Sequence, residues 1–318
     1  MHEIVGMKDV EIMNPRVPER KGMINIFEGV PAVPVEIPKR MVKVKKKMPV
    51  HAAIYAFTPS FTKAARAKHF QIPLLSPCPN RKLHSMNIVI TGASRGLGFA
   101  MAEKFAMDGH NLYLTARNEV SLYHALESLM GRFPDQQIKA KAFDLAVKEN
   151  AIAFGEWLLD QKIAIDILIN NAGGFIPGSV YNEPDGAMEE MLAVNFLSAY
   201  HLTRTLLPAM MEKKSGHIIN LCSIASFAAY ANGGAYSISK FALSGFSKNL
   251  REEMKPYNIK VTGIYPGAAY TDSWAHSGVD PGRLMKPSDI ADSILQITKL
   301  SPQAVVEELV IRPVLGDL

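Results

Sequence analysis

From residue 87 onward, apolar residues fall into short continuous runs, separated by longer segments whose apolar positions recur at helical spacing. Asn87–Thr91, Asn111–Ala116, Gln137–Phe143, Ala164–Asn170, His217–Cys222, Ile259–Tyr265 and Glu308–Ile311 are rich in Val, Ile and Leu and predict strands. Leu97–Met107, Ala187–Met211 and Gly234–Met254 predict helices between them. A strand that is apolar at consecutive positions is buried on both faces, which happens when helices cross over between parallel neighbours. The pattern therefore predicts an α/β fold: a doubly wound, Rossmann-type, mostly parallel sheet of seven strands with helices on both faces. No internal repeat is present.

The first 85 residues break this pattern. Half of the chain's 20 prolines lie before residue 80, as in Val30-Pro31-Ala32-Val33-Pro34, and Lys43, Lys45, Lys46 and Lys47 form a basic knot. Such composition predicts a poorly ordered extension and not a packed domain. The expected division is 1–85 as a disordered or non-essential extension and 86–318 as the catalytic domain, with Met86 standing directly before the first strand. A targeting or docking arm is the competing reading of the extension.

Charge follows the same boundary. The net charge is +5, yet residues 1–85 carry 15 of the 35 Lys and Arg against 6 of the 30 Asp and Glu. The remainder is mildly acidic, so charge gives a nucleic-acid role no support. Two cysteines, Cys78 and Cys222, make neither a disulfide framework nor a metal-ligand spacing, and no metal site is expected. A reducing, cytoplasmic setting is the expectation, with no membrane span and no secretory or transit signal.

Thr91-Gly92-Ala93-Ser94-Arg95-Gly96-Leu97-Gly98 follows the first strand and opens the first helix. Glycines there permit a tight turn and a close approach of backbone to an anion, and the helix N-terminus presents N–H groups to it. Residues Gly92, Ser94, Arg95, Gly96, Leu97 and Gly98 are thus candidate contacts for a dinucleotide pyrophosphate. The second strand ends Thr115-Ala116-Arg117-Asn118, without the acid that usually holds the ribose hydroxyl of NAD. Arg117 and Arg95 suit a 2′-phosphate instead, so NADP(H) is expected over NAD(H). Asp144 at the end of the third strand is a candidate for the adenine. Asn171, Ala172 and Gly173, after the fourth, are candidates for the ribose.

Tyr236 and Lys240 lie four apart on a predicted helix and share a face. A phenol titrates near 10, and lowering it to ~7 takes ~4 kcal/mol. An ammonium ~5 Å away at an effective dielectric of ~20 supplies roughly 3.3 kcal/mol. That arithmetic predicts Tyr236 as a general acid for carbonyl reduction. Ser223, thirteen residues earlier at the end of the fifth strand, is placed to donate to the substrate oxygen. Asn195 completes the catalytic candidates and is expected to position water behind Lys240.

In this order, these residues resemble the short-chain dehydrogenase/reductase family in its compact single-domain branch. The resemblance covers residues 86–318 and extends to Pro266-Gly267 followed by Thr271. It implies hydride transfer from nicotinamide, with Tyr236 as acid/base, Lys240 on the ribose and Ser223 polarising the carbonyl. Asn195 would complete a proton relay, and Pro266, Gly267 and Thr271 would border the carboxamide. It also implies dimers or tetramers through helices 187–211 and 234–254. Only Asp272–Lys286 stands where relatives often carry a long substrate loop, which implies an open cleft. The tail Val305–Leu318 and Thr271-Asp272-Ser273-Trp274 are similar to bacterial sepiapterin-reductase-like members. The expected activity is NADPH-dependent reduction of a small ketone, aldehyde or pterin side chain. Alternatives are a 3-oxoacyl-carrier-protein reductase and an NADPH-sensing regulator without turnover.

Overall fold

The computed structural model describes residues 85–271 and 278–317. The expected extension up to residue 84 lies outside the described residues. So does 272–277, which holds most of the Thr271–Trp274 resemblance and part of the short loop.

Seven strands form one parallel sheet: β1 Asn87–Thr91, β2 Asn111–Thr115, β3 Ile138–Ala140, β4 Ile167–Asn170, β5 Gly216–Leu221, β6 Ile259–Pro266 and β7 Glu308–Ile311. Their order is β3-β2-β1-β4-β5-β6-β7, so the direction of winding reverses between β1 and β4. Ligands of open α/β sheets bind outside the carboxyl ends of the strands at such a reversal. The crossovers are α1 Gly96–Met107, α2 Glu119–Arg132, α3 Lys148–Asp160, α4 Ala187–Leu192, α5 Ser198–Lys213, α6 Gly234–Met254 and α7 Pro287–Thr298.

Strand pleating sends neighbouring residues to opposite faces. Ile88 and Ile90, Ile167 and Ile169, and Ile219 and Leu221 pack with α1, α2 and α7 on one side. Val89, Leu168 and Ile218 pack with α3, α5 and the far end of α6 on the other. Both sides are apolar, which is why the strands read as continuous hydrophobic runs. The predicted elements are present, with three departures, the first being that β4 begins at Ile167 and not Ala164. β3 ends at Ala140 and not Phe143, although Lys141 and Phe143 still donate backbone hydrogen bonds to Leu114 and Ala116. The predicted helix 187–211 contains a π-helical turn, Ala193–Leu197, between α4 and α5.

Beneath the site runs a buried polar chain. Asn170 Nδ2 donates to Thr203 Oγ1 at 3.0 Å and to Asn220 Oδ1 at 2.8 Å, and Asn220 Nδ2 donates to Ser247 Oγ at 2.8 Å. It links β4, β5, α5 and α6, and breaking any bond would strand a buried polar group. At the α6 C-terminus, the buried Arg251 donates to the carbonyls of Val261 and Glu307 and to the Glu307 carboxylate. The helix is thereby fixed at both depths, and Tyr236 and Lys240 with it.

No helix among the described residues is long and apolar enough to cross a membrane. On β5, His217 donates from Nε2 to Thr262 Oγ1 at 2.7 Å, and Thr262 passes its own proton to the Val306 carbonyl at 2.6 Å. Burial holds the His217 imidazole down from 6.5 to about 3. As pH falls, the unfolded chain therefore takes up this proton first, and stability is lost from pH 6.5 downward at about 1.4 kcal/mol per unit. Urea unfolding at pH 4.5 is expected to show roughly 2–3 kcal/mol less stability from this residue than at pH 7. His217→Gln should flatten that part of the slope, and an unchanged slope would acquit the histidine.

Candidate active site

The site begins where β1 and β4 leave the sheet side by side. Thr91 Oγ1 accepts the backbone N–H groups of Asn171 at 2.9 Å and Ala172 at 2.8 Å. Asn171 Nδ2 returns two bonds, to the carbonyls of Thr91 at 2.8 Å and Gly92 at 3.1 Å. Four bonds thus lock the glycine turn to Asn171-Ala172-Gly173, two segments that sequence reasoning proposed separately.

Two glycines in the turn have no substitute. Gly92 adopts φ +65°, and a Cβ there would lie 2.9 Å from Ala172 Cα. A Cβ on Gly98 would sit 2.1 Å from the Gly92 carbonyl oxygen and 2.6 Å from Asn171 Nδ2. Helix α1 therefore starts directly against the turn. Its first turn carries no acid, and Arg95 at the N-cap gives no side-chain capping bond. A helix end with neither cap nor acid suits an external anion, so the cradle fits a pyrophosphate. Ser94 and Leu97 lie half-buried in this turn. The Thr271 methyl also abuts it: a Cβ on Gly96 would stand 3.5 Å away.

Arg95 and Arg117 are both exposed, the first in the turn and the second just past β2. Asp144 lies four residues beyond β3 with Oδ1 accepting the Ala146 N–H at 3.1 Å, so it also shapes its own turn. Pro266 ends β6. Gly267 donates to the Ile311 carbonyl at 2.8 Å and lies under the tail, where a Cβ would meet Asp317 and Pro313 at 2.9 Å.

The chemically active candidates converge at the ends of β4 and β5. Ser223 caps the short turn Ile224–Ser226, its Oγ accepting the Ala225 N–H at 3.1 Å. That leaves the Ser223 proton to donate, and the hydroxyl stands close enough to the Tyr236 phenol to ease its ionisation. Ser226 Oγ donates to the Lys240 carbonyl at 2.9 Å, tying this turn to α6. Lys240 is buried, with Nζ donating to the Leu221 carbonyl at 2.8 Å and lying 5.8 Å from the Tyr236 ring centroid. Gly173 closes over it, since a Cβ there would stand 3.6 Å from Nζ.

The expected depression of the phenol is absent from this geometry. Burial pushes the Tyr236 phenol up, and the Ser223 hydrogen bond opposes it only in part. Burial also brings Lys240 down, from 10.5 to about 8. The sequence arithmetic counted attraction between the two groups and omitted the desolvation of both, which here is the larger effect.

Asn195 sits in the π-helical turn, a feature often found at functional sites. Its Oδ1 accepts the Gly174 N–H at 2.9 Å, while Nδ2 donates to the Gly174 carbonyl at 3.1 Å and to Ser239 Oγ at 2.9 Å. Ser239 Oγ donates to the Tyr236 carbonyl at 2.7 Å. The Asn195 side chain is thus a clamp between the β4 loop and α6.

Residues 86–281 match the short chain dehydrogenase family. The chain belongs to this family. As a short-chain dehydrogenase it is an oxidoreductase with a Rossmann-like sheet. The 3alpha-hydroxysteroid dehydrogenase of Mediterraneibacter gnavus is 30% identical over 217 residues, covering 65% of this chain and 87% of its own. A metagenomic short-chain oxidoreductase, solved in complex with NADP, is 31% identical with a TM-score of 0.63, covering 72% of this chain and 96% of its own. An alcohol dehydrogenase from the archaeon Thermococcus sibiricus, complexed with 5-hydroxy-NADP, is 26% identical with a TM-score of 0.68, covering 74% and 99%.

Several residues that shape this short-chain dehydrogenase's site escaped the sequence reading. Ser226 was findable, because Ser223-x-x-Ser226 is a capping-box spacing. Thr91 and Ser239 flank residues already singled out. Glu183 had no local signal: its Oε2 accepts the Ala235 N–H at 2.8 Å, capping α6 from 52 residues away.

The glycine contacts give a paired test. Gly98→Ala should lower stability by roughly 1–3 kcal/mol despite alanine's better helix propensity, because the added methyl meets backbone. Gly131→Ala on α2, where nothing lies within 4 Å, should instead be neutral or raise it by about 0.5 kcal/mol. Urea unfolding of both variants reads the contrast, and equal effects would refute the close-approach account.

Proposed function

We propose that this short-chain dehydrogenase is an NADP(H)-dependent carbonyl reductase, working reversibly as an alcohol dehydrogenase. The observation that carries the reading is the buried Lys240 ammonium 5.8 Å from the Tyr236 ring and against Gly173, with the Ser223 hydroxyl beside the phenol. NADP-bound relatives of the same fold support the choice of cofactor, as do Arg95 and Arg117 and the missing acid after β2.

Gly92 to Gly98 would hold the pyrophosphate on backbone N–H groups, and Arg95 and Arg117 the 2′-phosphate. Asp144 would take the adenine, Asn171 to Gly173 and Lys240 the ribose, and Pro266, Gly267 and Thr271 the carboxamide. When bound, the reduced nicotinamide supplies a hydride. Ser223 Oγ donates a hydrogen bond to the substrate carbonyl oxygen, where negative charge grows. Tyr236 Oη gives that oxygen its proton, turning the ketone into an alcohol. A phenol held above its usual range is protonated at neutral pH, so Tyr236 carries the proton it would give. Asn195 holds the β4 loop against α6, so that Tyr236 and Gly173 keep their spacing, and completes the relay behind Lys240.

The substrate is a small-molecule ketone, aldehyde or pterin side chain, and the setting cytoplasmic. A homodimer or homotetramer through α5 and α6 accords with the exposed Ile238 and Phe241 on α6. Residues up to 85 are dispensable for the reaction in this reading.

Tyr236→Phe should cut kcat for carbonyl reduction by roughly 10²–10⁴-fold, followed as loss of NADPH absorbance, while NADPH binding persists. A wild-type protein that binds NADPH yet oxidises none of it with any carbonyl would mark the regulator alternative. Arg117→Ala should raise the Kd for NADPH about tenfold or more and leave that for NADH within about twofold. Equal losses for both dinucleotides would remove Arg117 from the 2′-phosphate.

A further inference from the structure

Half-exposed aromatic rings cluster at the same sheet edge as Ser223 and Tyr236. Three neighbouring strands, β4, β5 and β6, each leave the sheet through a loop that holds out at least one: Phe175 after β4, Phe227 and Tyr230 after β5, and Tyr270 after β6. Their exposures lie within 42–48%. A single exposed aromatic is unremarkable, but a ring of them around reactive groups is a recognition surface.

These rings are held in place. Phe175 packs edge-on against Tyr236, centroids 5.0 Å apart at 90°. Phe227 stacks on the buried Tyr265 at 4.2 Å, and Tyr265 OH is bonded to Ser244 on α6. Tyr230 opens the turn into α6, its carbonyl accepting the Gly233 N–H at 3.1 Å, and its phenol is within electrostatic reach of Tyr236. Tyr270 is pinned through its N–H to the Met285 carbonyl at 2.8 Å.

Charge is missing from the stretches that carry these rings. Residues 171–182, 222–239 and 267–271 contain no Asp, Glu, Lys, Arg or His. Just beyond the first stretch, Glu183 is committed to the α6 N-terminus. Within these three stretches nothing would pair with a phosphate, carboxylate or ammonium on a substrate, and desolvating such a charge without a partner is costly.

We infer that the enzyme selects uncharged, ring-bearing apolar ketones, or the matching alcohols, which slot their rings between Phe175, Phe227 and Tyr230 with the carbonyl at Ser223 and Tyr236. This rests on the carbonyl-reductase reading and narrows its substrate class. Short aliphatic carbonyls leave the rings wet, and carrier-bound or phosphorylated acyl groups bring charge that this edge does not meet.

The test compares kcat/KM of the full chain with NADPH for 2-butanone, acetophenone, 2-tetralone and 4-acetylbenzoate. Acetophenone and 2-tetralone should exceed 2-butanone by about tenfold or more, and 4-acetylbenzoate should fall roughly tenfold below acetophenone. Phe227→Leu and Phe175→Leu, which keep apolar bulk but lose the ring, should each shrink the 2-tetralone to 2-butanone ratio about threefold. Tyr236→Phe separates the two levels of the argument. If carbonyl turnover is abolished in that variant yet the wild type prefers 2-butanone or accepts 4-acetylbenzoate equally, the substrate class is overturned and the reductase reading stands. If no ketone is reduced, or Tyr236→Phe reduces them as well as wild type, both fall.

Discussion

A cation buried at the end of a sheet is the constraint around which this site is organised. Taking an ammonium out of water costs several kcal/mol unless hydrogen bonds replace the lost hydration. Lys240 recovers one such bond from the Leu221 carbonyl, and its pKa still falls from 10.5 to about 8. That shift corresponds to a burden of about 3 kcal/mol at neutral pH, one that fades only as pH rises from about 8 toward 10.5. A fold selected for stability alone would put leucine or methionine there. The neighbouring structure explains how the burden is tolerated: Gly173 leaves room above Nζ, Ser226 holds the Lys240 carbonyl, and the asparagine–serine chain beneath keeps α6 from rotating. The same burial that strains the lysine pushes the Tyr236 phenol up, so both effects have one cause.

The elements themselves were legible in the chain, because their causes are local. β1 and β7 carry the predicted limits, and α6 runs from Gly234 to Met254 as its spacing required. The glycine turn was equally readable, since a backbone that must approach within 2.1 Å of where a side chain would be leaves a glycine in the sequence. What stayed hidden depends on tertiary distance. No periodicity distinguishes the π-helical turn at Asn195 from the helix on either side, because one extra residue per turn is absorbed without a change of residue type. Glu183 as the cap of α6 and Thr91 as the acceptor for the β4 loop join segments 52 and about 80 residues apart. The tyrosine arithmetic failed for a related reason: helical spacing gives the separation of two groups but not how much water surrounds them.

Asn195 shows how much a side chain's partners add to its place in the sequence. Placed on an ordinary helix, it reads as a residue that orders water. Within the π-helical turn its amide spends both ends on protein, gripping Gly174 with one bond each way and Ser239 with another. The β4 loop is thereby tied to the first turns of α6, and Glu183 from that same loop caps the helix end. Phe175, one residue beyond the gripped glycine, consequently has a fixed attitude toward Tyr236. The orientation of the Tyr236 phenol and that of the ring beside it are therefore set by a single clamp. On the proposed function, chemistry and selectivity are not independent modules: moving the β4 loop to admit a different substrate would also disturb the Tyr236 phenol.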